Sequence, residues 1–107
     1  MIQSAFQFEP EQLSHKAKAL AWIAEHPRVF ALFERFALQM VERNRRFGIG
    51  QLAERVRWEV AMSWDKDEQG FRINNNHRAY IARELIRLHP EIEHYIELRR
   101  VRDEDEE

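Results

Sequence analysis

A chain of 107 residues, 44% hydrophobic and 34% charged, suits one domain with one core and is too apolar to be disordered over most of its length. It has no cysteine, which excludes disulfides, a thiol nucleophile and a cysteine-based zinc site. The net charge of −2 is unevenly placed: residues 103–107 are all acidic, leaving 17 basic against 14 acidic residues in 1–102, a balance of +3.

No apolar run approaches the roughly 18 residues of a membrane span. The N-terminal "MIQSAFQFEPEQ" has no basic stretch followed by an apolar one, so no signal peptide is read and a cytoplasmic location is expected. One helical domain is expected over 1–102, with 103–107 as a solvated, disordered acidic tail.

In chain order, residues 1–9 read as an irregular arm, with Phe6 and Phe8 available to pin it to the core. Pro10 suits a first helical turn, with Glu11 at the positive end of the helix. Leu13, Ala17, Leu20, Ile23 and Ala24 then share one face, and Trp22 lies off it. His26-Pro27 breaks this helix and opens a second. There Val29, Phe30, Leu32, Phe33, Phe36, Ala37, Met40 and Val41 form one broad stripe, the pattern of a core face rather than a cofactor box. Gly48 is expected to stop this helix after the cluster Arg43, Arg45, Arg46, whose charge suits a helix C-terminus.

"GIGQLAERVRWEVAMSW" carries two readings. As a helix it lines Ile49, Leu52, Ala53, Val56, Val60 and Trp64 along one side and puts Trp58 and Met62 opposite. As a strand, Trp58, Val60, Met62 and Trp64 alternate with Glu59, Ala61 and Ser63, with "DKDEQG" as the loop and "FRI" as the return. The content of Ala, Glu, Arg and Met favours helix to about Met62, and a short β-hairpin near 58–73 stays open. After Asn74–Asn76 comes a helix of about fourteen residues ending at His89-Pro90. A last helix, "PEIEHYIELRRVR", packs Ile92, Tyr95 and Ile96. Its opening echoes "EHPRVFALFER", the mark of a reused helix–turn–helix joint.

Little here points to catalysis. His15, His26, His77, His89 and His94 show no i, i+4 pair and no HExxH motif. Ser4, Ser14 and Ser63 lie in no Gly-x-Ser-x-Gly elbow. Gly48 and Gly50 have no phosphate-loop lysine behind them. No metal, no cofactor and no enzyme activity are expected.

Nucleic acid is the more interesting case. The basic residues are 14 Arg and 3 Lys, and Arg is the better fork for phosphates and base edges; codon usage in a GC-rich genome is the ordinary explanation for that bias. On the helix after the asparagines, Ala79, Ile81, Ala82, Leu85, Ile86 and Leu88 gather on one side. Tyr80, Arg83 and Arg87 gather on the other, with His77 and Glu84 at a flank. Arg78 falls toward the apolar side in the first turn, where it can reach solvent. Asn and Arg read adenine and guanine, Tyr and Arg also bond phosphates, and a helix N-terminus adds amide donors. With Arg72 on a short strand alongside, and Arg55 and Arg57 near, a basic patch would form. The plan is a variant of helix–turn–helix or winged helix. It departs from the usual order, because the connection is too long and a wing over 58–73 would precede the recognition helix. The ordinary alternative makes one asparagine an N-cap and another a turn residue, with the arginines on a solvated face paired to Glu54, Glu59 and Glu84.

The stretch "GFRINNNHRAYIARELIRLHPEIEHYIELR", with "IGQLAERVRWE" upstream, resembles small uncharacterised proteins of bacteriophages and prophages over residues 48–100. That resemblance implies no set activity, only a setting in which DNA-binding regulators and inhibitors of host factors are both common.

The expected fold is therefore a compact, mainly α domain of four to five helices. The expected function is non-enzymatic binding of nucleic acid, duplex DNA in the first place, through Arg72, Asn74, Asn75, Asn76, Tyr80, Arg83 and Arg87. The alternative is a protein-interaction module or host-factor inhibitor in which the same face meets an acidic protein surface. A homodimer burying Trp22, Trp58 or Met62 is compatible with either.

Overall fold

The computed structural model describes residues 14–66 and 72–98. Four helices dominate them: α1 (His15–Glu25), α2 (Pro27–Glu42), α3 (Ile49–Ser63) and α4 (Asn75–Leu88). A 3-10 turn over Pro90–His94 and two short strands, β1 (Phe47–Gly48) and β2 (Ile96–Glu97), complete the described fold. The architecture is the mainly helical one expected. The expected arm over 1–9, the start at Pro10 and the acidic tail 103–107 lie outside the described residues.

Ser14 opens α1: its hydroxyl accepts the Ala17 N–H at 3.1 Å, which satisfies one of the free donors of the first turn. The buried side of α1 differs from the expected one. Ala19 is fully buried and Trp22 and Ile23 pack against the core, while Ala17, Leu20 and Ala24 are exposed. The indole decides this, since it is the largest apolar body on the helix and gains most from the inner side. It stacks on His26 with ring centroids 4.5 Å apart.

Pro27 begins α2 at a position where its missing N–H is no loss. Val29, Phe30, Leu32, Phe33, Phe36 and Ala37 are buried and Met40 and Val41 partly so, as the stripe predicts. The helix ends at Glu42 rather than at Gly48. The stop is Asn44, whose φ of 55° is left-handed, a conformation that asparagine tolerates better than most residues. Gly48 is extended and serves as the N-cap residue of α3.

In α3 the helical reading prevails. Ile49, Leu52, Ala53, Val56 and Val60 are buried and Trp64 is half-buried. A helix submerges all five positions on one side, which a strand over 58–64 could not. Trp58 and Met62 stand outward, 64% and 68% exposed. The hairpin expected near 58–73 is corrected accordingly: 58–63 belong to α3, 64–66 and 72–74 form no strand, and 67–71 lie outside the described residues. No wing of the winged-helix kind arises from the described part.

The strands that do form are parallel and distant in sequence, pairing Phe47 with Ile96 and Gly48 with Glu97. They displace the expected last helix. Pro90 opens only a 3-10 turn, Ile92 and Ile96 are buried, and the Tyr95 carbonyl accepts the Phe47 N–H at 2.9 Å. That carbonyl would otherwise bond along a helix; the strand pairing claims it. The two His-Pro openings therefore lead to different structures, a sixteen-residue helix and a single turn.

Helix α4 packs against α1, α2, α3 and the 3-10 turn. Ile81, Ala82 and Leu85 are buried beneath it. At its C-terminal end His89 Nε2 lies 2.9 Å from Glu34 Oε2, tying α4 to α2. No helix among the described residues is long and apolar enough to cross a membrane.

Candidate nucleic-acid interface

The asparagine triplet divides into one structural and two outward residues. Asn74 is the N-cap of α4: its Oδ1 accepts the Asn76 N–H at 2.7 Å, and its carbonyl accepts the His77 N–H at 2.9 Å. Asn75 and Asn76 occupy the first turn with exposed side chains. The side-chain amides of Asn75 and Asn76 are thus held at the mouth of the helix by a cap that uses only the backbone N–H of Asn76.

Beyond them the outer face of α4 carries one stripe. Asn76, Tyr80, Arg83 and Arg87 follow at steps of four, three and four, which keeps them on one side of a helix. Tyr80 is half-buried, with the Arg83 guanidinium 5.1 Å over its ring, a cation–π contact that orients the arginine without neutralising it. Arg83 and Arg72 are exposed and make no ion pair among the described residues.

Arg87 is held differently. Its Nε and Nη2 donate to the two carboxylate oxygens of Glu84 at 3.0 and 2.6 Å. Those bonds hold the Glu84 carboxyl below its ordinary value and raise that of the guanidinium. Because Arg87 is exposed, the pair is screened and contributes little to stability, so an incoming phosphate can replace the carboxylate.

The expected flanking arginines are only partly gathered. Arg57 donates to Glu54 and, through Nη2, to the Ile73 carbonyl at 3.2 Å, so it braces the approach to α4. Arg55 turns to the α2 side, 3.1 Å from Glu59 and 4.2 Å over the Phe36 ring, and does not join the patch. Arg72 lies on an irregular connection, not the expected strand. Arg78 does not reach out to solvent as expected. It lies in the α3–α4 seam, its Nη2 3.8 Å from Glu54 and its Nη1 against Gly50.

His77 belongs to the seam between α1 and α4. Its ring lies 6.3 Å from that of Trp22. Burial first, then the nearby His15 and Lys18, push its imidazole below the usual 6.5, so it adds no charge to the face near neutral pH.

Spacing and residue type assign Arg43, Arg45 and Arg46 only the role of charge at a helix end; in the fold they sit on an ordered turn between α2 and β1. Among the described residues no three His, Asp or Glu gather to hold a metal ion. The chain matches no protein-family model, no curated protein and no solved structure.

Proposed function

We propose that this is a non-enzymatic protein that binds duplex DNA along the outer face of α4. The observation that carries the reading is the single stripe Asn76, Tyr80, Arg83 and Arg87, entered through the exposed Asn75 and flanked at the helix mouth by Arg72. Amide and guanidinium groups are the side chains that bond adenine and guanine edges in pairs, and Tyr and Arg also bond phosphates. The rigid support beneath the stripe, from Ile81, Ala82 and Leu85, favours binding without rearrangement. Asn74 contributes by capping rather than by contact.

Fluorescence anisotropy with a labelled duplex tests it. Binding is expected at low salt and is expected to weaken steeply as salt rises, because each arginine–phosphate contact releases counterions. A flat anisotropy trace at low salt removes the proposal.

A second reading has its own observation. Trp58 and Met62 stand outward on adjacent turns of α3, and Trp and Met are enriched in protein interfaces. On this reading the arginines form the polar rim against an acidic partner, or two copies pair through α3. Trp22, stacked on His26 against the core, takes no part. Sedimentation velocity separates the forms: self-association through α3 produces a dimer that grows with concentration and disappears in Met62→Glu. A single monomeric species at every concentration excludes the homodimer.

A further inference from the structure

The segment Arg43–Arg46 places three arginines within four residues in a turn whose backbone is held at Arg43, Asn44 and Arg45. The Arg43 N–H is shared between the Gln39 and Met40 carbonyls at 3.2 and 3.1 Å, the Asn44 N–H bonds the Val41 carbonyl at 3.0 Å, and the Arg45 N–H bonds the Met40 carbonyl at 2.9 Å. Asn44 holds the left-handed bend, and its Oδ1 accepts the Tyr95 hydroxyl at 2.8 Å. Directly after the turn, β1 pairs with β2.

Arg43 and Arg45 are exposed and meet no acidic side chain among the described residues. Arg46 Nε lies 3.3 Å from Glu97 Oε2, with both side chains well exposed, a pairing that salt and competing anions readily displace. The negative end of α2 tolerates the cations but leaves their side chains directed at solvent. On α3 and α4, by contrast, Arg55, Arg57 and Arg87 each have a carboxylate in bonding reach. Two of the three arginines of the turn thus meet no carboxylate among the described residues, as with Arg72 and Arg83 at α4, and the turn is held by its own hydrogen bonds in advance of any ligand.

We infer that this turn is a second contact surface for nucleic acid, engaging backbone phosphates. Three arginines within four residues, each with a guanidinium able to fork onto a phosphate, suit a chain of regularly spaced anions better than an isolated carboxylate. The fixed backbone lowers the ordering cost of binding. The 3-10 turn runs from the C-terminal end of α4 to Tyr95, whose hydroxyl donates to Asn44, so the arginine turn is tied to the segment that follows α4. The inference rests on the DNA-binding reading but concerns different residues, so the two fail separately.

The test uses the full chain and four proteins, wild type, Arg43→Ala/Arg45→Ala, Arg43→Lys/Arg45→Lys and Arg83→Ala/Arg87→Ala, titrated against one labelled duplex over a range of salt and, separately, against polyglutamate. A far-UV CD spectrum and melting curve accompany each. The Arg43→Ala/Arg45→Ala protein is expected to fold normally, to bind on the order of tenfold or more weakly, and to lose about two from the slope of log K against log salt. Arg43→Lys/Arg45→Lys is expected to keep that slope. If only the α4 variant loses affinity, the inference is overturned and the α4 interface stands. If only the turn variant loses affinity, the inference stands and the α4 interface falls. Absence of wild-type binding overturns both. A turn variant that loses binding to polyglutamate but not to the duplex assigns the turn to an acidic protein and also overturns the inference.

Discussion

Changing Arg83 and Arg87 together to glutamate is expected to weaken duplex binding by about a hundredfold or more at low salt, with a visibly shallower salt dependence. Removing one arginine from a phosphate costs roughly tenfold near 0.1 M salt, and the reversed charges add repulsion. Arg83 contributes through exposure: it lies over the Tyr80 ring and has no carboxylate to satisfy it among the described residues. Arg87 must leave Glu84 to bind. The variant also sets a glutamate three residues from Glu84, which costs the helix a few tenths of a kcal/mol, roughly the size of one like-charge pair. The protein should therefore remain folded, and CD reports that independently. Unchanged affinity in a folded variant would remove α4 from the interface. If Arg83→Ala alone weakens binding equally on all sequences, Arg83 touches phosphate; a loss confined to one base position makes it a reader.

Phe33→Ala is expected to destabilise the fold by about 3–5 kcal/mol. Phe33 is wholly buried and among the largest fully buried side chains in the core that α2 shares with α3 and α4. Typical domains have only about 5–15 kcal/mol in total, so this single truncation removes a large part of the margin. Urea unfolding should show a lower midpoint with little change in slope. Leu20→Ala is the matched control. Leu20 is 39% exposed, so its loss is expected to cost under about 1 kcal/mol. Equal costs at the two positions would contradict the orientation of α1 and α2 in the fold.

Leu20 also marks where the sequence is legible and where it is not. The stripe on α2 is readable because three phenylalanines and a valine at helical spacing admit one buried side. The inner side of α1 is not, because helical spacing alone cannot rank Leu20 against Trp22; the packing partner decides. Residues 49–63 read correctly as helix once helix-forming composition outweighs the alternation of Trp58, Val60, Met62 and Trp64. The end of α2 is misplaced by sequence because Gly48 is the commoner stop, whereas Asn44 can be identified only from its backbone. The pairing of Phe47 with Ile96 leaves no local trace, since two-residue strands are too short for a period.

At the candidate site, the outward stripe on α4 and the cap at Asn74 follow from spacing and residue type. The carboxylate partners Glu54, Glu59 and Glu84 are also the ones read from the sequence, and they pair with Arg57, Arg55 and Arg87. Glu84 three residues before Arg87 is readable on one helix, but the Arg57 bond to Ile73 and the turn of Arg55 toward Phe36 depend on how helices meet.

The parallel clasp between Phe47 and Ile96 gives the arginine turn a dependence on chain completion. Tyr95 and Asn44 are 51 residues apart in sequence, and α3 and α4 both lie in the interval. Contacts of such separation form against the entropy of closing a long loop and tend to come late in folding. The backbone bonds of the turn are local, but the Asn44 side chain, Arg46 and Phe47 gain their partners Tyr95, Glu97 and the facing strand only when the segment after Pro90 has docked. The turn is clasped by the last described stretch of the polypeptide, although every arginine on it belongs to the first half.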